Sequence, residues 1–128
     1  MSYLLDTNAI LWWLTDDQRL GPDARRLIEG SDAYVRVSIA SLWEVSIKHG
    51  IGKLSATAAM VAGKLAEAQI EIVAIRLPHL TALEILPQHH RDPFDRLILA
   101  QALVEGAEII TSDPVIPRYG VPCIDATL

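Results

Sequence analysis

The sequence is poor in features that would assign it to a secreted or membrane protein. Its single cysteine, Cys123, has no partner for an internal disulfide, which is typical of a protein in a reducing cytoplasm. Uninterrupted apolar runs such as Ala9 to Leu14 are far shorter than the roughly 18 residues that a membrane span needs. The start of the chain has neither a basic segment nor a small-residue cleavage site, so no secretory signal is expected. We therefore expect a cytoplasmic protein that does not contact the membrane.

Positive charge is also scarce. The 128 residues include 11 Lys and Arg against 16 Asp and Glu, and the formal net charge of -5 argues against nucleic-acid binding through a basic surface. Hydrophobic residues make up 51% of the chain and charged residues 21%, a balance that predicts a folded core rather than disorder. No linker, low-complexity tract or repeat divides the sequence, so a single domain over residues 1–128 is expected.

Short β-type runs alternate with helical patterns along the chain. Strands are predicted at residues 3–5, 33–37, 70–75, 108–111 and 121–124, and helices at 8–14, 22–30, 39–50, 57–68, 78–86 and 93–105. Strands separated by helices pair in parallel through right-handed crossovers. The predicted fold is therefore an α/β protein, a three-layer α/β/α sandwich with a mainly parallel central sheet. The pattern does not predict the order of the strands.

Acidic residues recur where the predicted strands end and the helices begin. Asp6 directly follows the first strand, and Asp113 lies two residues beyond the fourth. Glu44 lies in the helix after the second strand, and Asp95 lies in the first turn of a helix that Asp92 is expected to cap. Because ligands bind beyond the carboxyl ends of parallel strands, the four side chains are expected to meet at one edge of the sheet.

Each carboxylate also has a structural explanation. Asp6 could cap the first helix, and Glu44 could form a capping box with Ser41, although Ser38 is the more natural start of that helix. Asp95 suits the third position of its helix, where the dipole favours an acid. Asp113, before a proline, could begin a turn.

Taken together, the structural explanations become weaker. Carboxylates that converge in a partly buried pocket repel one another and raise one another's pKa values. A hard divalent cation such as Mg²⁺ removes this conflict, generates a hydroxide nucleophile, and allows an acidic pocket to accept a phosphodiester. If Asp6 binds metal, capping of the first helix is expected to fall to Thr7 or Asn8.

Four segments resemble the PIN-domain ribonucleases and, more narrowly, the toxin subunit of VapBC-type toxin–antitoxin pairs. They are "LLDTNAILWWL", "SIASLWEVSIKHGIGKL", "HHRDPFDRLILAQAL" and "IITSDPVIPRYGV". The resemblance covers almost the whole chain in the right order, and its second and third segments are the more specific. It implies hydrolysis of single-stranded or structured RNA by a water that Mg²⁺ or Mn²⁺ activates. It also implies a homodimer and a cognate antitoxin whose C-terminal segment blocks the pocket.

The resemblance also assigns residues to the site. The family's acidic quartet falls on Asp6, Glu44, Asp95 and Asp113. It makes Asp6 and Asp95 the principal metal ligands, with the other two completing the site directly or through water. The capping geometry of the proline helix and the resemblance both favour Asp95 over Asp92 as the ligand. Hydroxyl and amide side chains are expected to orient ligands or substrate, namely Thr7, Asn8, Thr111 and Ser112.

Basic and aromatic residues have less specific expectations. Arg96 is a candidate phosphate contact because its guanidinium fits phosphate, with a solvated charge at the helix start as the alternative. His89 and His90 are expected to make loop contacts near the site rather than to ligate, because magnesium disfavours imidazole. Lys48 is expected to be a surface charge. The tryptophans are expected in the core and in dimer or antitoxin contacts rather than stacked on RNA, namely Trp12, Trp13 and Trp43.

Two other functions remain open from the sequence. An aspartyl-phosphate phosphatase also uses an Asp after its first strand, followed by Thr, as in Asp6-Thr7. That chemistry expects a second acid at the position of Asn8 and a suitably placed lysine, and the sequence supplies neither. The other alternative is a non-catalytic protein-binding module whose acids are helix caps and surface charges.

Overall fold

The computed structural model describes residues 1–30 and 32–128, in which five strands alternate with six α-helices. The strands are β1 (Ser2–Leu5), β2 (Tyr34–Ser38), β3 (Glu71–Val73), β4 (Glu108–Thr111) and β5 (Cys123–Asp125). The helices are α1 (Thr7–Leu14), α2 (Pro22–Glu29), α3 (Ile39–Gly50), α4 (Ala58–Glu67), α5 (Leu77–Glu84) and α6 (Pro93–Glu105). A short 3₁₀ helix, Ile116–Tyr119, follows β4. Within the described residues, no helix has both the length and the hydrophobicity to cross a membrane.

All five strands run parallel in the order β3-β2-β1-β4-β5. The chain proceeds from β1 outwards to β3, then returns through α6 to place β4 on the other side of β1. The strand order therefore reverses between β1 and β4, where Leu5 lies opposite Ile110. Clefts at the carboxyl ends of the strands beside such a reversal are the usual ligand sites of open parallel sheets.

The sheet separates two buried apolar layers, as alternation along each strand requires. On β1, Leu5 packs into the layer formed with α1, α2, α3 and α4, whereas Leu4 packs into the layer formed with α6. On β4, Ile110 and Ile109 divide in the same way. The predicted α/β/α sandwich is confirmed, and its sheet is wholly parallel within the described part of the chain.

β1 and β2 differ from their predicted bounds by one residue at an end, whereas β3 and β5 differ by two residues at one end, for identifiable reasons. β3 is shorter than predicted, because its neighbour β2 ends at Ser38, opposite Val73, where α3 begins. β5 begins at Cys123 rather than at Val121, because Pro122 has no N–H for the ladder and contributes only its carbonyl, to the N–H of Ile109.

Candidate metal centre

Asp6 lies at the carboxyl end of β1, immediately before α1, and its side chain is only 4% exposed. Its Oδ1 accepts a hydrogen bond from the N–H of Ala9 at 2.8 Å, so Asp6 is the N-cap of α1. The prediction that Thr7 or Asn8 would cap this helix is therefore wrong. The extended backbone of Asp6 turns the carboxylate over the first helical turn. Capping uses one lone pair of a carboxylate, and the remaining lone pairs stay available to a ligand.

Thr111 connects Asp6 to Asp113 across the point where the strand order reverses. Its hydroxyl donates to Asp6 Oδ2 at 2.5 Å and accepts from the N–H of Asp113 at 3.0 Å. Asp113 Oδ1 in turn accepts from the N–H of Val115 at 2.9 Å, which forms the turn considered from the sequence. Each of the two carboxylates thus accepts a hydrogen bond from a backbone N–H group, and the Thr111 hydroxyl also joins the Asp6 carboxylate to the backbone of Asp113.

Glu44 is buried on α3 and has a partner for each oxygen. The hydroxyl of Thr7 donates to Oε1 at 2.8 Å, and Lys48 Nζ lies 2.8 Å from Oε2. The hydroxyl of Ser38 accepts from the N–H of Ala40, so Ser38 caps α3 and Glu44 is not part of a capping box. Glu44 is thus a buried carboxylate, with 6% exposure, whose charge is balanced by Lys48.

Lys48 is the main residue that sequence reasoning missed. The sequence predicts a surface charge at this position, but the ammonium group pairs with buried Glu44. Its pKa is raised, chiefly by the hydrogen bond to Glu44, and the charge of Asp95 acts in the same direction. The four-residue spacing from Glu44 to Lys48 on one helix face is the signal that could have found it.

Asp95 lies in the first turn of α6, which Asp92 caps by accepting from the N–H groups of Phe94 and Asp95, as predicted. His90 Nε2 lies 3.1 Å from Asp95 Oδ2 and 2.7 Å from Asp113 Oδ2. Among residues 1–30 and 32–128, His90, Asp95 and Asp113 form the group whose ligand atoms lie close enough, within 4.8 Å of one another, to share an ion.

Side-chain contacts connect three of the four predicted acids, since Thr111 joins Asp6 to Asp113 and His90 joins Asp113 to Asp95. Asp6 and Glu44 lie outside the group around His90 and are held by their own hydrogen bonds. Charge interactions nevertheless reach across the site, since Asp113 and Glu44 both raise the pKa of Asp6. Asp6 and Glu44 also raise the pKa of Asp95, so the charges of the four carboxylates act on one another.

Burial and mutual repulsion raise the pKa values of two carboxylates in this region. Burial, followed by the charges of Asp92 and Asp6, raises the pKa of Asp95 to about 7. Burial is also the largest cause of the raised pKa of Asp6, and it outweighs the hydrogen bonds that lower that pKa. Carboxylate oxygens are the donors that a hard divalent ion prefers, and such an ion would relieve the repulsion. The donor set therefore fits Mg²⁺ or Mn²⁺.

The family model for the PIN domain matches residues 3–122 of the chain. The chain belongs to the PIN-domain family. PIN domains are nucleases that generally use a divalent metal, and the matched segment contains all four acids. No curated protein sequence shows significant similarity to the chain.

Solved structures that share this fold include three of bacterial proteins. VapBC2 from Rickettsia felis, bound to a DNA fragment from its promoter, has a TM-score of 0.71 at 18% identity, covering 97% of this chain and 98% of that chain. VapBC-1 from nontypeable Haemophilus influenzae has a TM-score of 0.68 at 19% identity, with 100% of each chain covered. FitAcB from Neisseria gonorrhoeae has a TM-score of 0.59 at 18% identity, with 97% of each chain covered. At such identities these likenesses establish the fold.

The remaining predicted residues of this PIN domain differ in their placement. Thr7 is buried against Glu44, Ser112 is half-buried after β4, and Asn8 is exposed at the start of α1. Arg96 donates to the carbonyl of Pro87 at 2.7 Å and lies 3.3 Å from the hydroxyl of Tyr119. These contacts favour a structural role for Arg96, and its predicted contact with substrate stays a prediction.

The tryptophans of the PIN domain lie mainly at the edges of the core. Trp12 and Trp13 are partly buried against the layer that contains α1. Trp43 is 54% exposed and contacts Phe94 edge to face, with ring centroids 4.9 Å apart. This aromatic pair joins α3 to the first turn of α6.

Proposed function

We propose that this PIN domain is a Mg²⁺- or Mn²⁺-dependent endoribonuclease and the toxin of a type II toxin–antitoxin pair. The observation that carries the proposal is the convergence of carboxylates with raised pKa values where the strand order reverses. We assign Asp6 and Asp95 as principal metal ligands, completed by Glu44 and Asp113. An acidic site in a chain of net charge -5 suits a reaction in which a bound cation, rather than a basic side chain, contacts the phosphate.

When bound, the ion supplies Lewis acidity, which lowers the pKa of water and neutralises charge on the phosphodiester. The chain's own residues orient the ligands before the reaction. Thr111 holds Asp6 from β4, and Thr7 holds Glu44 from α1. Hydrolysis adds water across one P–O bond, leaving a phosphate on one product and a hydroxyl on the other.

The partners follow from the resemblance and from the surface. The RNA substrate is inferred from the ribonuclease-like motifs. The antitoxin is inferred from the same motifs and from neighbours of the same fold that were solved as VapBC complexes. A homodimer and an antitoxin both need apolar surface, and α3 with its C-cap residue exposes large apolar side chains at four-residue spacing, namely Ile39, Trp43, Ile47 and Ile51. A single domain over residues 1–128 and a cytoplasmic location complete the proposal.

The nuclease is tested with purified protein and a mixture of labelled RNAs. We expect cleavage that requires Mg²⁺ or Mn²⁺ and falls at least about 100-fold in Asp6→Asn and Asp95→Asn, because each loses a charged ligand. Asparagine is as good an N-cap as aspartate, so Asp6→Asn keeps the start of α1. Asp23→Asn, an exposed acid paired with Arg26, is the matched control. Metal-dependent cleavage that survives either site substitution would refute the assignment.

The phosphatase alternative is weakened by the residue two positions after Asp6. Asn8 stands where that chemistry needs a second acid to act as general acid or base, and it is exposed at the start of α1. Trapping of a phosphate analogue on Asp6 would support the phosphatase instead.

A further inference from the structure

His90 has a hydrogen-bonding pattern that determines where its ring proton lies. It belongs to the segment between α5 and α6, and its side chain is 17% exposed. Its Nδ1 accepts a hydrogen bond from the N–H of Asp92 at 3.0 Å. An imidazole nitrogen that accepts carries a lone pair, so the proton of the ring is on the other nitrogen, Nε2. His90 therefore presents an N–H group, not a lone pair, to the acidic region.

This N–H group lies between two of the four carboxylates. The contact with Asp113 Oδ2 is 2.7 Å, in the range of a strong hydrogen bond to a charged acceptor, and the contact with Asp95 Oδ2 is longer, at 3.1 Å. The other oxygen of Asp113 accepts from Val115. Both oxygens of Asp113 are thus oriented, one by the backbone and one by His90.

The backbone around His90 is anchored as well. Its N–H donates to the hydroxyl of Tyr119 at 2.7 Å, and Tyr119 lies in the 3₁₀ helix that follows Asp113. His90 thereby joins the segment before α6, which carries Asp95, to the segment after β4, which carries Asp113.

We propose that His90 is a positioning residue of the metal centre, whose Nε2–H orients Asp113 for the ion and which does not itself ligate. The inference rests on the proposed metal-dependent function. Distances alone would group His90 with Asp95 and Asp113 as three ligands. Ligation through Nε2 would move the ring proton to Nδ1, where it would oppose the N–H of Asp92 and leave two partly buried donors facing each other.

The test measures Mn²⁺ binding to tag-free protein, independently of cleavage. Wild type, His90→Ala, His90→Gln and His89→Ala are compared by calorimetry. We expect His90→Ala to bind Mn²⁺ about 10-fold more weakly, in the range for loss of a residue that orients a ligand. His90→Gln, whose amide retains an N–H donor, recovers most of this affinity. His89→Ala is the matched control, since His89 packs on Tyr119 and has no contact with the acids among the described residues.

Pulsed electron paramagnetic resonance of the Mn²⁺-bound wild type decides between positioning and ligation. Protein labelled with ¹⁵N only at histidine is expected to show no directly bound histidine nitrogen. A histidine coupling that disappears in His90→Ala would mean that His90 ligates and would overturn the inference. This experiment needs no substitution to fold, because the wild-type spectrum already answers the question.

The remaining outcomes separate this inference from the proposed function. Equal or tighter Mn²⁺ binding by folded His90→Ala, with wild type binding normally, would overturn only the positioning role. A wild type that binds neither Mn²⁺ nor Mg²⁺ would overturn the proposed function together with the inference.

Discussion

The hydroxyl of Thr111 lies 2.5 Å from Asp6 Oδ2, and this hydrogen bond joins the ends of the two strands between which the sheet order reverses. Burial raises the pKa of Asp6, and the bond from Thr111 is the largest influence that lowers it. The contact therefore favours the ionised carboxylate that a metal requires. It also links the first strand of the chain to the fourth, which no local sequence signal predicts.

Replacing Thr111 by valine, which keeps the shape and removes the donor, raises the pKa of Asp6 further. We expect Mg²⁺ affinity at neutral pH to fall about 10-fold, the lower end for loss of a contact that orients a ligand, with partial recovery as the pH rises. Calorimetry across a pH series measures this. Thr111→Ser retains the hydroxyl, and Thr127→Val removes an exposed one that contacts Asp125. A pH profile identical to that of wild type would show that the bond does not control Asp6.

The raised pKa of Asp95 predicts how the stability of the metal-free protein depends on pH. The ordinary pKa of an aspartate is 3.8, and that of Asp95 in the fold is about 7, so the folded state holds a proton that the unfolded chain releases between these values. Folding stability therefore falls as the pH rises from about 4 to about 7, and the raised pKa of Asp6 acts in the same direction. We expect Tm without metal to drop by roughly 5 °C or more across this window.

Two controls make the pH prediction specific. Asp95→Asn, which cannot ionise, is expected to flatten most of the decline. Mg²⁺ added at pH 8 is expected to restore Tm in wild type, because it binds the folded state alone. A metal-free Tm that rises steadily from pH 4 to pH 7 would contradict the raised pKa values.

The parts of the fold that are predictable from the sequence are those with local causes. α6 is predictable together with its cap because Asp92, Pro93 and Gly106 are strong local signals, and Gly106 adopts the left-handed conformation that ends helices. The order of the strands depends on tertiary packing and leaves no such trace. β3 is short because β2 ends, which is a property of its neighbour and not of its own residues.

The sequence predicts which acidic residues belong to the candidate site, but it does not predict the contacts that those residues make. The sequence suggests that Asp6 either caps a helix or serves a site, but one carboxylate has enough lone pairs for both roles. The partners of Glu44 and Asp113 become visible only in three dimensions, since the sequence alone predicts a surface charge at Lys48 and a loop contact at His90.

Removing Lys48 tests whether its ammonium group stands in for metal charge beside Glu44. We expect Lys48→Met to lower metal-free stability by about 1 kcal/mol, because buried Glu44 loses its cation while the lysine was itself partly exposed. Mg²⁺ should then raise Tm more in the variant than in wild type. Lys64→Met, which removes an exposed lysine near Glu67, is the control. Equal Mg²⁺-induced shifts in the two proteins would show that Lys48 does not compensate the site.

Substitution of Arg96 tests whether this arginine has a structural role or binds phosphate. Its guanidinium donates to the carbonyl of Pro87 and lies beside Tyr119, whose hydroxyl also accepts from the backbone of His90. We expect Arg96→Gln to lower Tm by several °C, because a carbonyl loses a charged donor. The ratio of kcat/KM at low and high salt should stay that of wild type, whereas loss of a phosphate contact reduces this ratio. Cleavage assays at two ionic strengths, with folded variant, decide between the two. A reduced salt dependence with unchanged Tm would assign Arg96 to the substrate.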